Sequence, residues 1–143
     1  MGVVRNILKK KGNVTYSVSP DTIVFKALGI MLEKNVSALL VIENEELIGM
    51  FSERDYARKV VLQGKTSKTT RVRDVMTREV PTVHPETKID HCMQLMTDKF
   101  TRHLAVMEDG QLVGIVTIGD LVKYIIEEQQ FIIENMEHYI NGT

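Results

Sequence analysis

The sequence predicts a mixed α/β protein made of two tandem copies of one unit, each with the order strand, helix, strand, strand, helix. Residues 18–58 align without a gap on residues 83–123, at a constant offset of 65 residues from Gly49 to Gly114. The hydrophobic spacing changes between helical and strand-like at the same points in both copies. Each copy also contains the motif Gly-x-hydrophobic-Ser/Thr-x-x-Asp, at Gly49–Asp55 and Gly114–Asp120. Self-similarity at a fixed period indicates a repeated structural unit.

The composition fits a soluble globular protein and excludes several classes. The chain has 143 residues, of which 43% are hydrophobic and 26% charged, with a formal net charge of −1. A net charge this small gives no general attraction to nucleic acid or membranes. No apolar run approaches the roughly 20 residues of a membrane helix, and the N-terminus lacks the apolar block of a signal peptide. The single cysteine, Cys92, leaves no internal disulfide, so we expect a cytoplasmic protein.

In the first copy, each element follows from local pattern. Strands are predicted where short apolar runs occur, and helices where apolar residues recur on one face. The predicted elements are an extended run at 14–18, a helix whose apolar face carries Val24, Ala27, Leu28, Met31 and Leu32, strands at 38–43 and 47–51, and a helix at 55–62. Thr22 is the expected helix cap and Asn44-Glu45 the expected turn between the two strands. The run at 38–43, which is apolar as far as Ile42, is typical of a strand that is buried on both faces.

The second copy repeats this pattern. Ile89, Cys92, Met93 and Met96 form the helix face, and Thr87 with Asp90 resembles a capping box. Strands at 104–107 and 112–116 are joined through Asp109-Gly110, which is a hairpin signal. The predicted domain boundaries are 1–64 for the first repeat, 65–71 for a linker, 72–126 for the second repeat and 127–143 for a helical extension.

The last helix continues beyond what one repeat requires, to about Asn141. Its apolar stripe consists of Val122, Ile125, Ile126, Ile133, Met136 and Ile140. The helix could pack back on its own domain. Because the stripe continues after the repeat ends, we instead expect it to take part in self-association of a homodimer.

Near the N-terminus, the segment Val4–Leu8 matches Val72–Met76, but at an offset of 68 residues. The first copy therefore carries three extra residues, which we place within Lys9–Asn13. We expect Lys9, Lys10 and Lys11 to form a solvated loop.

The duplicated motif and its flanks resemble a tandem pair of cystathionine β-synthase (CBS) domains, also called a Bateman module. The second copy carries Val75-Met76-Thr77, Val80-Pro81-Thr82-Val83 and Arg102-His103-Leu104. The run Gly49–Lys59 is similar to the first-domain signature of small stand-alone bacterial members. The resemblance covers the chain from about Val4 to Ile126. It implies two repeats packed about a pseudo-twofold axis, with two clefts between them.

The resemblance also implies ligands and site residues. Such clefts bind adenosine compounds, namely AMP, ADP, ATP, NAD or S-adenosylmethionine, and no obligatory cofactor or metal is expected. The motif Asp would accept hydrogen bonds from the ribose hydroxyls, and the Ser/Thr hydroxyl would help to hold phosphate. One implied cleft combines Thr117 and Asp120 with Tyr16, Ser37 and Ala38. The other combines Ser52, Arg54 and Asp55 with Thr77, Val80, Arg102 and His103.

Elementary chemistry agrees with these roles. A carboxylate only accepts hydrogen bonds, so it suits a ribose diol with two donors. Phosphate is stabilised by the unpaired N–H groups and positive dipole end at a helix start. Copy two has Gly119 where copy one has Arg54, and only the second-copy flank has Thr77. We therefore rank the Asp55 cleft above the Asp120 cleft as a nucleotide site.

The sequence leaves other interpretations open. One alternative is that each Ser/Thr-x-x-Asp sequence caps a helix and has no further role. The main hypothesis is a non-catalytic regulatory module that senses an adenine nucleotide and signals, by conformational change, to a protein partner that the sequence does not identify. The alternative is a ligand-free scaffold for interaction or dimerisation with degenerate clefts. Nucleic-acid binding through Lys9–Lys11 and Arg71, Arg73 and Arg78 is less consistent with the net charge. Without a nucleophile elbow or a P-loop, an enzyme has the least support.

Overall fold

The computed structural model describes residues 2–140, and the predicted order of elements in each repeat is confirmed. The helices and strands, in chain order, are α1 (Val4–Lys11), β1 (Ser17–Val18), α2 (Val24–Lys34), β2 (Ala38–Glu43), β3 (Glu46–Ser52), α3 (Glu53–Asp55), α4 (Val72–Val75), β4 (Thr82–Val83), α5 (Ile89–Lys99), β5 (His103–Glu108), β6 (Gln111–Thr117) and α6 (Ile118–Ile140). A π-helix, Tyr56–Val61, continues α3. Met1 and residues 141–143, where the predicted extension ends, lie outside the described residues.

The chain divides into two compact units. The first-repeat unit is Val14–Val80, and the second-repeat unit joins residues 2–13 to residues 81–140. Helix α4 therefore belongs to the first-repeat unit, although it precedes the second repeat in sequence, and α1 belongs to the second-repeat unit. The boundaries given above for the repeats are divisions of the sequence, and they remain predictions.

The two units contain sheets of the same order and register. In the first-repeat unit β1 pairs in parallel with β2, and β2 pairs antiparallel with β3, with Ala38 opposite Ser52. In the second-repeat unit β4, β5 and β6 pair in the same way, with His103 opposite Thr117. In both hairpins the register shifts two residues before the first strand ends, after Val41 in β2 and after Val106 in β5. The duplication of sequence is thus a duplication of hydrogen-bonding pattern.

Turn chemistry fixes both hairpins as predicted. Asn44 and Glu45 have φ of 51° and 67°, and Asp109 and Gly110 have φ of 52° and 75°. Two consecutive residues with positive φ are typical of a type I′ turn, whose twist matches that of the strands.

Each unit has its own core of equivalent residues. The first-repeat core consists of Val18, Val24, Ala27, Met31, Leu39, Val41, Phe51, Val60, Val72, Val75 and Met76. The second-repeat core consists of Val4, Ile7, Leu8, Val83, Ile89, Cys92, Met96, Leu104, Val106, Val116 and Leu121. Burial raises the pKa of the Cys92 thiol to about 11, so the thiol is protonated at neutral pH, as expected of an unreactive core cysteine.

The short helices α1 and α4 are attached to their units by equivalent ion pairs. In the second-repeat unit Arg5 contacts Glu86 and Glu108, at 2.6 Å and 3.2 Å. In the first-repeat unit Arg73 contacts the matching carboxylates, Asp21 at 3.3 Å and Glu43 at 2.9 Å. These pairs are partly exposed, so they contribute less to stability than to orientation.

Three local predictions were wrong. Thr22 and Thr87 do not cap α2 and α5, because the N-cap positions are Ile23 and Lys88 and neither makes a side-chain cap bond. Thr22 instead accepts a backbone hydrogen bond from Val72 through its carbonyl, which attaches α4. Lys9–Lys11 are not a loop, because they form the last turn of α1.

The helix after Asp55 also differs from expectation, since most of it is π-helical instead of α-helical. It ends through a turn at Gly64, near the predicted position. None of the helices in the described part of the chain combines the length and apolar character that a membrane span requires.

The motif glycines offer a matched test of packing. A Cβ at Gly49 would lie 2.9 Å from the backbone oxygen of Thr77, which cannot move alone, whereas a Cβ at Gly114 would lie 2.9 Å from a methyl group of Leu8, which can. We expect Gly49→Ala to lower the free energy of unfolding by about 1–3 kcal/mol, and Gly114→Ala to change it by less than about 1 kcal/mol. Urea denaturation would measure both, and equal losses would contradict the explanation.

Candidate functional site

Both motifs lie where a strand leads directly into a helix, and both form reciprocal caps. The Ser52 N–H donates to Asp55 Oδ2 at 2.9 Å, and the Asp55 N–H donates to Ser52 Oγ at 3.2 Å. The Thr117 N–H donates to Asp120 Oδ2 at 2.8 Å, and the Asp120 N–H donates to Thr117 Oγ1 at 3.2 Å. Each pair satisfies two N–H groups that a helix start would otherwise leave unpaired. Capping is therefore present in both copies, and any ligand role is additional to it.

In the first-repeat unit the carboxylate of Asp55 is surrounded by donors. Besides the Ser52 N–H, it accepts from Ser52 Oγ at 3.1 Å and from Thr77 Oγ1 at 2.9 Å, and Lys59 Nζ lies 3.1 Å from Oδ1. Thr77 is held in place because its backbone exchanges two hydrogen bonds with Met50 of β3. The side chain of Asp55 is only 9% exposed. Four donors fill the acceptor capacity of one carboxylate.

In the second-repeat unit the carboxylate of Asp120 has fewer partners. The Thr117 N–H and the Lys11 ammonium both contact Oδ2, the latter at 2.6 Å. Among the described residues none donates a hydrogen bond to Oδ1 of Asp120. The side chain is 22% exposed, so solvent or a solute can reach it. Asp120 therefore keeps acceptor capacity that Asp55 does not have.

The hairpin brings two further predicted residues to the first junction. Ala38 lies opposite Ser52 across the β2–β3 ladder. The carbonyl of Ser37 accepts a hydrogen bond from the N–H of Glu53, the first residue of α3, at 3.0 Å. These contacts place Ser37 and Ala38 beside the motif of their own repeat.

Arg102 and His103 occupy the equivalent positions in the second-repeat unit. His103 lies opposite Thr117, and the Arg102 carbonyl accepts from the N–H of Ile118 at 3.0 Å. Burial lowers the pKa of His103, and the charges of Lys11 and Arg102 lower it further, whereas Asp120 raises it. The lowered pKa favours the neutral form of the His103 imidazole.

Three predicted site residues remain, Tyr16, Val80 and Arg54, and all three belong to the first-repeat unit. Tyr16 accepts a backbone hydrogen bond from Leu40, and its ring lies 5.5 Å from Lys34 Nζ. Val80 is half-buried and Arg54 is exposed, both in the first-repeat unit. Each predicted cleft combines residues of both units, and those combinations remain predictions.

Two lysines next to the motif carboxylates were not among the predicted site residues. Lys59 is four residues after Asp55, a spacing at which opposite charges meet on a helix, so this signal was available. Lys11 had no comparable signal, because the pattern around it favoured a loop.

The junctions offer hydroxyls, carboxylates and ammonium groups, which together suit recognition of a polar, anionic molecule. Among the described residues no group of three His, Cys, Asp or Glu side chains is arranged to hold a metal ion.

A family model for the CBS domain matches residues 4–62 and 72–127. The chain belongs to the CBS domain family. The paired motifs and the two three-stranded sheets described above are thus those of a CBS pair, and CBS pairs are regulatory modules in the proteins that contain them.

Similar proteins span nearly the whole chain. A mitochondrial CBS domain-containing protein of Arabidopsis thaliana is 39% identical over 149 residues, which cover 97% of this chain and 72% of that protein. A solved structure from Burkholderia ambifaria, named as a signal-transduction protein with CBS domains, is 45% identical with a TM-score of 0.86, covering 89% of this chain and 96% of that one.

A third similar structure is a CBS pair in complex with 5-methylthioadenosine and S-adenosyl-L-methionine. It is 24% identical with a TM-score of 0.79, covering 90% of this chain and 98% of that one. At this identity the likeness concerns the fold alone, and the ligands are those of that protein.

The bond between Thr77 and Asp55 can be tested directly. Thr77→Val keeps the shape of the side chain but removes the donor, so we expect the free energy of unfolding to fall by about 1 kcal/mol. Thr77→Ser retains the hydroxyl and should remain close to the parent protein. Urea midpoints would measure both, and a Val variant as stable as the Ser variant would show that this bond contributes nothing.

Proposed function

We propose that this CBS pair is a non-catalytic regulatory module that binds an adenosine-containing nucleotide of the AMP, ADP, ATP or NAD type. The observation that carries the proposal is the carboxylate of Asp120, at the start of the 23-residue helix α6. It is oriented by the Thr117 N–H through Oδ2, and Oδ1 retains acceptor capacity. The choice of adenosine compounds as the ligand class follows from membership of the CBS domain family.

The chemistry of a nucleotide suits this position. The two ribose hydroxyls are donors, and a carboxylate with an available oxygen can accept from them. Phosphate is favoured near the first turn of a long helix by the positive end of the helix dipole, although the N–H groups of Ile118 and Asp120 already donate within the protein. Other polar groups belong to the same helix start. Lys11 contacts Asp120, His103 lies opposite Thr117, and the carbonyl of Arg102 accepts from the N–H of Ile118.

For the two carboxylates we propose the opposite ranking to the one that the sequence suggested. At Asp55, a ribose would have to displace Thr77 or Lys59, because all acceptor positions of that carboxylate are taken. Breaking a charged hydrogen bond costs about 1.5–3 kcal/mol, which weakens any ligand that requires it. We therefore propose Asp120, and not Asp55, as the main ribose acceptor.

Regulation requires that the ligand discriminate between two states of the protein. A ligand shifts an equilibrium only by the difference between its affinities for the two states. We propose that occupancy of the nucleotide site is transmitted to a protein partner or to a second copy of the chain.

Thermal unfolding with added ligand tests the proposal. A true ligand at 100 times its dissociation constant should stabilise the protein by about 2.7 kcal/mol. Wild type would be compared in AMP, ADP, ATP, NAD and S-adenosylmethionine, each at millimolar concentration. No shift with any of them would refute nucleotide binding.

Variants of the two carboxylates locate the site. Asp120→Asn keeps an oxygen that can accept from Thr117, so the cap survives while the charge is lost. We expect this variant to lose most of the ligand-induced shift, whereas Asp55→Asn should keep it. The opposite outcome would move the site to Asp55.

The exposed part of α6 supports a second proposal, that the chain forms a homodimer. Every residue from 129 to 140 is exposed, although the helix carries apolar residues throughout. One stripe of α6 has positions that alternate in spacing between four and three residues. Its exposed apolar residues are Val122, Ile126, Ile133, Met136 and Ile140, and the polar residue Gln129 occupies the remaining position. This spacing is that of a coiled-coil seam, which buries its apolar side chains against a second helix.

Mass in solution tests the dimer. Ile133→Glu places a charge in the middle of the stripe and should shift the protein to a monomer in sedimentation equilibrium. Glu134→Gln, one residue away and off the stripe, is the matched control and should leave the mass unchanged. A dimer that persists in Ile133→Glu would exclude this stripe as the interface.

A further inference from the structure

The second motif lacks both cations that accompany the first. At the offset of 65 residues, Arg54 corresponds to Gly119 and Lys59 to Tyr124. A cation is nevertheless present, because Lys11 Nζ lies 2.6 Å from Asp120 Oδ2. Lys11 belongs to a different element, α1. It lies in the segment Lys9–Asn13, where the first copy carries three residues that have no counterpart before the second repeat.

The lengthening explains how Lys11 reaches the site. In the first-repeat unit α4 ends at Val75, and the next residues leave the helix to pair with β3 at Met50. In the second-repeat unit α1 instead continues to Lys11 and ends at Gly12, whose φ is 93°. The motif carboxylate is thus contacted by the ammonium group of Lys11 in the second-repeat unit, whereas in the first-repeat unit the hydroxyl of Thr77 contacts it.

Neighbouring contacts hold this turn on α6. Lys10 forms an ion pair with Glu127 at 3.1 Å, and its Nζ lies 5.8 Å from the ring centre of Tyr124. Asp120, Tyr124 and Glu127 are four and three residues apart, so they share one face of α6. The position of Lys11 is therefore built by several contacts and does not depend on its own ion pair alone.

Lys11 also keeps capacity for a ligand. An ammonium group has three N–H donors. Among the described residues its one hydrogen-bond acceptor is Asp120 Oδ2. The side chain is 27% exposed, so a bound anion could approach the other donors.

We infer that Lys11 is the specificity-determining residue of the Asp120 site and selects adenosine ligands that carry a 5′ phosphate over those with a neutral or cationic 5′ group. This inference rests on the proposed function. The ribose hydroxyls contact Asp120, and the phosphate pairs with Lys11 next to it, with Arg102 adding charge. Adenosine gains nothing from Lys11, and the sulfonium of S-adenosylmethionine is repelled by it.

The competing explanation is that Lys11 only fastens α1 to α6. A fastening role would affect all ligands alike, whereas a specificity role changes the ratio of affinities for AMP and adenosine. The ratio is therefore the readout, and overall stability is not.

The test is titration calorimetry of the full chain with AMP, adenosine and S-adenosylmethionine. Wild type should bind AMP at least about tenfold more tightly than adenosine, since a charged hydrogen bond contributes about that much. Lys11→Gln should lose about tenfold in AMP affinity while its adenosine affinity changes less than about twofold. Lys11→Arg keeps the charge and should keep the preference. Lys10→Gln removes the neighbouring ion pair with Glu127 and the contact with the Tyr124 ring but leaves the ammonium group of Lys11 in place, so it should also keep the preference.

The outcomes separate the two proposals. An unchanged ratio of AMP to adenosine affinity in Lys11→Gln, or equal losses for both ligands, would overturn the role of Lys11 and leave nucleotide binding intact. No binding of any of the three compounds by wild type would overturn the proposed function and this inference together. A urea transition of each variant confirms that it is folded before it is titrated.

Discussion

The carboxylate that begins the helix after each hairpin is the interaction on which the rest depends. One side chain accepts the N–H of the residue three positions earlier, and so fixes the angle at which a strand becomes a helix. Without it, the half-buried N–H group of Ser52 or Thr117 would lack the partner that it has at each junction. The strand end, the first helical turn and the facing residue across the hairpin are all positioned by this contact. A ligand that uses the same carboxylate therefore acts on the frame of the repeat itself.

The two junctions share this frame but differ in what completes it. Thr77 and Lys59 complete the first, and the result is a saturated, nearly buried carboxylate. Lys11 completes the second, and the result is a partly exposed carboxylate with one unused oxygen. Two changes account for this difference: α1 has eight residues where α4 has four, and Tyr124 stands where the first repeat has Lys59. Duplication thus produced two copies of a fold, and small changes around the motif gave them different capacities to bind.

Much of the fold follows from sequence because its determinants are local. The hairpins depend on turn residues such as Asp109 and Gly110, and the helix faces on simple spacing, so their order and register were predictable. The π-helix at Tyr56–Val61 was not, because nothing in its composition distinguishes it from an α-helix. Thr22 and Thr87 looked like caps, but competing backbone hydrogen bonds from the flanking segments moved the helix starts.

The candidate site was predictable only in part, because only some of its residues are close to one another in sequence. Ser52, Asp55, Thr117 and Asp120 are adjacent in sequence to the junctions that they form, and the repeat identified them. Lys11 is more than 100 residues from Asp120. Its position depends on which unit α1 joins, and the sequence pattern does not contain that information.

The central claim, that Asp120 accepts the ribose hydroxyls of a nucleotide, is tested most directly by removing those hydroxyls from the ligand. The measurement is the affinity of the wild-type chain for AMP and for 2′,3′-dideoxy-AMP, by titration calorimetry. Losing donors to a charged acceptor should weaken binding by about 10- to 100-fold. Equal affinities for the two compounds, or no binding of AMP, would contradict the account.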